Sequence, residues 1–102
     1  MSRSYRLTPE ARANVDEIGT FIAEDNVDAA VRVLEALERA FELLAARPEI
    51  GHTREDLTTR PLKFWAVYSY LVVYDPVSTP LTILAVLHGA RDIERLLKDS
   101  RR

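Results

Sequence analysis

The chain has 102 residues, enough for one domain with a single small core, and a hydrophobic content of 47% argues against disorder. It contains no cysteine, which excludes disulfides and thiolate metal sites. The net charge of −2 lacks the positive excess typical of proteins that bind nucleic acid through its phosphates. No apolar run follows Met1, so we expect a soluble cytoplasmic protein without a signal peptide or membrane span.

The charge is unevenly divided along the chain. Residues 1–50 hold six Lys/Arg and ten Asp/Glu, a net charge of −4, whereas residues 51–102 hold eight and six, a net charge of +2. The second half is therefore the expected anion-facing part of the molecule.

The first elements are a short strand and a helix. Residues 4–7 alternate in polarity, which is typical of a strand. Thr8 is a suitable N-cap, and Pro9 suits the first helical position because its missing N–H is not needed there. The apolar residues that follow step by four, three and four and so share one helical face: Ala11, Val15, Ile18 and Ile22.

A second helix is predicted after the "EDN" interruption, with either Asp25 or Asn26 as its N-cap. It is expected to run to about Arg47 and to stop before Pro48. Its wide apolar stripe consists of Ala30, Val33, Leu34, Leu37, Ala40, Phe41 and Leu44. Because few residues separate the helices, they should form an antiparallel hairpin.

The second half is predicted to be mainly strands. A polar loop over 48–61 precedes a region rich in β-branched and aromatic residues. We place strands at about 62–68, 70–75 and 81–88, with a tight reversal near Tyr68–Ser69 between the first two. A short helix could follow at the C-terminus through Ile93, Leu96 and Leu97.

This order predicts an α+β fold: a strand, an antiparallel helix hairpin, a three-stranded antiparallel sheet and a short C-terminal helix, in one domain over 1–102. The two helices should cover one face of a mainly antiparallel sheet, and the other face is expected to be partly open.

The ordered set of segments resembles the ParE branch of the ParE/RelE toxin superfamily over about residues 5–97. The segments that carry the resemblance are "YRLTPEA" (5–11), "IAEDN" (22–26), "ALERAFELLAARPEIGHTREDL" (36–57), "KFWAVYSYLVVYD" (63–75) and "ILAVLHGARD" (83–92). The resemblance implies the element order given above. It also implies a small bacterial toxin held inactive by a cognate, ParD-like antitoxin in a hetero-oligomer.

Two mechanisms occur in this superfamily. RelE-like members are ribosome-dependent ribonucleases, whereas ParE-like members poison DNA gyrase and are not known as enzymes. RNA cleavage through the 2′-hydroxyl needs a base, an acid and cations for the developing charge. The candidates here are His88, Arg91, Arg60 and Lys63. Because the tyrosine that RelE-like members place after such a histidine is absent, and Lys63 is the only lysine of the sheet, the ribonuclease remains the alternative.

The simpler interpretation of His88 is a strand-end histidine that bonds a backbone or carboxylate neighbour. Arg54 and Arg60 are either solvated loop charges or partner contacts. Tyr70 and Tyr74 should share one face of the sheet, where such aromatics usually belong to the core. An apolar or aromatic strip left uncovered would be a partner groove.

The leading hypothesis is a gyrase-inhibiting toxin, and an inert module that only complexes an antitoxin is a third possibility. We expect no catalytic residues, cofactor, metal site, membrane contact or sequence-specific nucleic-acid binding. The candidate contacts with a partner or target are Arg54, Arg60, Lys63, Trp65, Tyr70, His88 and Arg91.

Overall fold

The computed structural model describes residues 4–89 and residue 92. The elements in chain order are β1 (Tyr5–Leu7), α1 (Pro9–Ala23), α2 (Val27–Ala46), a 3₁₀ turn (Pro48–Ile50), β2 (Lys63–Val67), β3 (Tyr70–Asp75) and β4 (Leu81–His88). Each predicted strand and helix in this part of the chain is present. The predicted C-terminal helix through Ile93, Leu96 and Leu97 lies outside the described residues.

Both helices begin with a side-chain cap. The Thr8 hydroxyl accepts a hydrogen bond from the Ala11 N–H at 3.1 Å, and Pro9 occupies the first turn. At the start of α2, the Asn26 side-chain oxygen accepts from the Ala29 N–H at 3.0 Å. Asn26 is therefore the N-cap of α2, and each cap satisfies a helix donor that would otherwise lack a partner.

The four strands form one sheet in the order β1-β4-β3-β2. Neighbours among β2, β3 and β4 are antiparallel, as predicted. β1 adds to this sheet in parallel to β4, with Tyr5 opposite Leu81, so the sheet is four-stranded and mixed rather than three-stranded and antiparallel. The long excursion through α1 and α2 permits this, because parallel neighbours need a crossover connection.

β1 is short and pairs only with residues 81–83 of β4. Beyond residue 83, side chains form the hydrogen bonds to the exposed edge of β4. The Thr8 hydroxyl donates to the Leu84 carbonyl at 3.0 Å, and the Asn14 side-chain oxygen accepts from the Val86 N–H at 3.0 Å. α1 thereby supplies partners to backbone groups that would otherwise need water or another strand.

The sheet has a packed core on each face. The core between sheet and helices contains Leu37, Phe41, Leu44, Tyr70, Val72, Tyr74, Ile83 and Val86. On the opposite face, the loop at 51–62 contributes Leu57, which is 1% exposed, and Leu62. They pack on Phe64, Val73 and Ala85. The prediction of a partly open face omitted this cover, although Leu71, Leu84 and Leu87 at its margin are only half-buried.

Within the described residues, neither helix is both long enough and apolar enough to cross a membrane.

Candidate partner-binding surfaces

One end of the sheet is closed by hydrogen bonds around Tyr74, and we call it the locked end (Pro48, Gly51, Lys63 and Tyr74). The Tyr74 hydroxyl donates to the Pro48 carbonyl at 2.7 Å and accepts from the Gly51 N–H at 2.9 Å. Lys63 Nζ donates to the Gly51 carbonyl at 3.3 Å. The Tyr74 side chain is 0% exposed, and its burial raises the pKa of its hydroxyl. These bonds fix the point where the loop leaves the 3₁₀ turn.

The loop that starts at the locked end carries two of the predicted contact residues. Arg54 is engaged within the loop, because its Nε and Nη2 donate to the two carboxylate oxygens of Asp56 at 3.0 and 2.8 Å. This hydrogen-bonded pair raises the pKa of Arg54 and lowers the pKa of Asp56. Arg60 is exposed, and no ion pair joins its side chain to another described residue. Arg60 is thus the more available cation.

Trp65 is half-buried and stacks on His52. The ring centroids are 6.3 Å apart and the planes differ by 8°. His52 is exposed, and its backbone pairs with Phe64. The other part of Trp65 packs against the helix-side core. Trp65 therefore offers only part of its ring to a partner.

The opposite end of the sheet is less enclosed, and we call it the open end (Glu17, Phe21, Tyr70, His88 and Asp92). His88 is exposed, and its ring meets the Tyr70 ring edge-on at a centroid distance of 5.3 Å. The His88 N–H donates to Asp92 Oδ2 at 2.6 Å. This bond uses the backbone of His88 and not its imidazole, so the simpler interpretation of the side chain stays a prediction. Tyr70 is only 8% exposed, so most of its ring contributes to the core rather than to a surface.

A groove of about 320 Å³ lies between α1 and the open end. Its floor is apolar, and the described residues on its walls and rim carry two carboxylates and an imidazole but no Lys or Arg. The lining residues are Asn14, Glu17, Ile18, Phe21, Tyr70, Val86, His88 and Asp92.

The hairpin tip beside the open end contains a residue that was predicted to lie in the reversal but was not among the candidate contacts. Tyr68 has a φ of +53° and is 70% exposed. The next residue, Ser69, accepts a hydrogen bond from the Gly89 N–H at 2.8 Å, which holds the tip against the end of β4. The two-residue reversal itself was predicted, but nothing in "VYSYL" indicates a tyrosine in the left-handed region, where glycine is usual.

A family model, described as the ParE toxin of the type II toxin–antitoxin system parDE, matches residues 5–93. The chain belongs to the ParE toxin family. This confirms the resemblance inferred from the sequence, over nearly the same residues.

Two curated relatives support the membership. The chain is 35% identical to Y4kP of Sinorhizobium fredii and 30% identical to toxin ParE1 of Mycobacterium tuberculosis. Each alignment covers 95% of this chain and the full length of the relative. A solved structure of the chromosomal ParDE system from P. aeruginosa has a TM-score of 0.69 and covers 86% of this chain and 97% of its own. At 13% identity, that structure shows a shared fold.

In this ParE family member, the predicted contacts do not form one cluster. Lys63 pairs with Tyr74 at the locked end, and His88 pairs with Tyr70 at the open end. Arg91 lies outside the described residues. No group of three or more histidine, aspartate or glutamate residues in the described part of the chain could hold a metal ion. Glu17 and Phe21 were not predicted from the sequence, because their helical spacing gave no sign that they flank a groove.

Proposed function

We propose that this chain is a toxin that arrests growth by binding and inhibiting DNA gyrase, and that a cognate ParD-like antitoxin neutralises it in a hetero-oligomer. Membership of the ParE family supports the toxin role. The choice of gyrase rests on the resemblance to the ParE branch.

The observation that carries a non-catalytic mechanism is the setting of His88. The described residues around it include the carboxylates of Glu17 and Asp92 and no Lys or Arg. A ribonuclease must instead surround the scissile phosphate with cations, because charge develops on that phosphate in the transition state. Carboxylates at the same place repel the RNA backbone.

One observation favours the ribonuclease alternative. The Tyr70 ring lies 5.3 Å from the His88 ring, so a histidine and a tyrosine do meet at the end of the sheet. Primer-extension mapping of messages after induction decides between the two. We expect no new cuts within translated codons, and growth arrest should persist in the His88→Ala variant. New cuts that disappear in His88→Ala and in Tyr70→Phe would establish the ribonuclease instead.

A binding poison needs surface contacts rather than proton-transfer groups, and the basic residues near the locked end are the candidates. Arg60 is exposed, Lys63 is half-buried, and Arg54 becomes available only when it leaves Asp56. A cationic surface suits the acidic protein or DNA surfaces of a gyrase–DNA complex.

The cellular test is plasmid topology after induction. We expect plasmids from arrested cells to lose negative supercoils. Arg60→Glu should weaken both the growth arrest and the loss of supercoils. Arg32→Glu on the exposed face of α2 is the matched control, because it reverses the same charge elsewhere. Normal plasmid topology in arrested cells would exclude gyrase as the target.

The antitoxin part of the proposal predicts a stable complex with the product of the adjacent reading frame. Co-expression should restore growth, and the two proteins should co-purify. If the chain stays free at micromolar concentrations of that product, this part of the proposal is wrong.

A further inference from the structure

The outer edge of β1 carries backbone groups that the described fold does not use. The Thr8 N–H donates to the Ile83 carbonyl at 3.1 Å, and Leu7 lies opposite Ile83 in the parallel ladder. Because backbone groups of successive strand residues point to opposite edges, this bond directs the N–H and C=O groups of Tyr5 and Leu7 away from β4. β1 is the last strand on its side of the sheet, so these groups meet no other described strand.

Two other edge positions of the sheet are closed by the fold itself. On β2, the Phe64 N–H donates to the His52 carbonyl at 2.7 Å, and the Phe64 carbonyl accepts from the His52 N–H at 2.9 Å. On β4 beyond residue 83, the side chains of Thr8 and Asn14 supply the partners. The outer edge of β1 has no such cover among the described residues, and an unpaired strand edge is a template for pairing with another chain.

A groove of about 600 Å³ adjoins this edge, and we call it the β1 groove (Tyr5, Leu7, Val15, Leu34, Leu37 and Phe41). Residues of β1, α1 and α2 all line it, and Arg6, Arg12 and Glu38 add the polar part of the lining. Leu37 and Phe41 are buried, whereas Val15 and Leu34 are only half-buried. Apolar surface therefore lies next to the unpaired backbone groups.

The edge and the groove together select an extended polypeptide segment. The outward N–H and C=O groups of alternate residues match the main chain of an added strand, and alternate side chains of that strand then face the helix side of the sheet. A second copy of this chain fits less well. Antiparallel pairing of two β1 edges would bring its own α1 and α2 to the side of the sheet where the helices of the first copy already line the groove.

We propose that the outer edge of β1 receives an extended segment of the cognate antitoxin, which adds to the four-stranded sheet as a fifth strand and places apolar side chains in the β1 groove. This inference rests on the proposed function, which supplies the antitoxin as the partner. It keeps the antitoxin apart from the basic surface proposed for gyrase, because Lys63 lies on β2 at the opposite edge of the sheet, roughly 14 Å from β1.

Amide hydrogen exchange, followed residue by residue by NMR, tests the added strand without any substitution. The full-length chain is compared free and saturated with the purified product of the adjacent reading frame. We expect the N–H groups of Tyr5 and Leu7 to exchange at least about tenfold more slowly in the complex, because new ladder bonds protect them from water. Ala66 is the matched control, since it alternates with Phe64 and directs its N–H to the outer edge of β2. Its exchange rate should not change.

Val15→Ser tests the groove by titration calorimetry with the same partner. We expect it to weaken binding about tenfold, since a tenfold change corresponds to the loss of one good contact. Val31→Ser is the matched control, because it makes the same change on α2 at a residue that is 49% exposed and outside the groove lining. It should bind like the unsubstituted chain. If Val15→Ser does not fold, hydrogen exchange in the unsubstituted chain remains decisive.

The outcomes separate this inference from the proposed function. If the adjacent product binds and the exchange of Tyr5 and Leu7 stays unchanged, the inference is wrong and the antitoxin partner stands. If these two amides become protected in the chain alone as its concentration rises, a second copy occupies the edge and the inference is also wrong. If the adjacent product does not bind, the antitoxin part of the proposed function is wrong, and this assignment with it.

Discussion

Tyr70 and Tyr74 lie on the same strand and face the same pair of helices, yet their surroundings differ. At the locked end, the Tyr74 hydroxyl has both a donor and an acceptor on the neighbouring turn, and the residue is fully buried. At the open end, the Tyr70 ring forms the wall of a groove whose rim carries the exposed Phe21. The adjacent hairpin tip holds Tyr68 in a strained conformation.

The difference indicates that the two ends of the sheet serve different purposes. The locked end satisfies its buried polar groups internally, which stabilises the fold and anchors the basic loop. The open end leaves an exposed phenylalanine and backbone strain without compensation inside the described fold. Such features concentrate at sites that bind a partner. The following predictions test this division, from the largest expected effect to the smallest.

Gly51→Ala should have the largest effect. A Cβ at this position would lie 2.3 Å from the Tyr74 hydroxyl oxygen, so the ring must move and its hydrogen bonds must break. We expect the free energy of unfolding to fall by about 3 kcal/mol, from overpacking and unsatisfied polar groups together. Chemical denaturation measures this loss.

Gly19→Ala is the matched control for that substitution. Its nearest contact would be the flexible end of Leu34, at 3.1 Å, and alanine favours the helix. We expect a change within about 1 kcal/mol. Equal losses of the free energy of unfolding at the two glycines would show that the locked end does not depend on the close contact of Gly51 with Tyr74.

Tyr74→Phe should cause the next largest loss of the free energy of unfolding. Removal of the hydroxyl leaves the Gly51 N–H and the Pro48 carbonyl without their partner, which costs about 1–3 kcal/mol. Tyr70→Phe is the counterpart at the open end. We expect a smaller loss there, because no hydrogen bond joins the Tyr70 hydroxyl to another described residue. A larger loss for Tyr70→Phe, in the same denaturation experiment, would reverse the comparison.

The pH dependence of stability should also show the raised pKa of the buried Tyr74 hydroxyl. Burial raises its pKa in the folded chain, so the neutral hydroxyl contributes stability that is fully present below the unfolded pKa of about 10. This contribution is lost as the pH rises through the folded pKa. Tyr5 also has a raised pKa, caused first by burial and then by Glu38 and Glu42.

Tyr5 remains in the Tyr74→Phe variant, so the difference between the two proteins isolates Tyr74. Above pH 10, the unsubstituted chain should lose stability more steeply than the variant. Parallel stability curves would show that the Tyr74 hydroxyl ionises as easily in the folded chain as in the unfolded one.

Phe21→Ser should have the smallest effect on stability. Because 70% of the side chain is exposed, the change should stay within about 0.5 kcal/mol. Thermal unfolding measures it. A loss of stability comparable to that of Tyr74→Phe would mean that Phe21 supports the core despite its exposure.

The sequence predicted the start of α1 and the shared face of two tyrosines on β3, because local signals were strong there. Thr8 and Pro9 mark the start of α1, and the alternation of β3 places Tyr70 and Tyr74 on one face. The sequence did not predict that β1 pairs in parallel with β4, since strand neighbours depend on how the helix hairpin folds back. It also gave Leu57 no special weight, because one leucine in a polar loop carries no periodicity.

The candidate site was less predictable for a physical reason. Glu17 and Phe21 lie on α1, whereas Tyr70 and His88 lie on neighbouring strands, so only the folded chain brings them together. The strain at Tyr68 is a property of the backbone that residue type would have argued against. Arg54 is a further case, because nothing in the sequence indicated that its charge pairs with Asp56.

Supercoiling by purified gyrase with added toxin tests the central claim most directly. We expect the unsubstituted chain to inhibit supercoiling and to trap gyrase–DNA cleavage complexes. His88→Ala should inhibit equally well, and Arg60→Glu should inhibit less, with Arg32→Glu as the charge-matched control. Unchanged supercoiling at a large excess of a chain that still arrests cells would contradict the account.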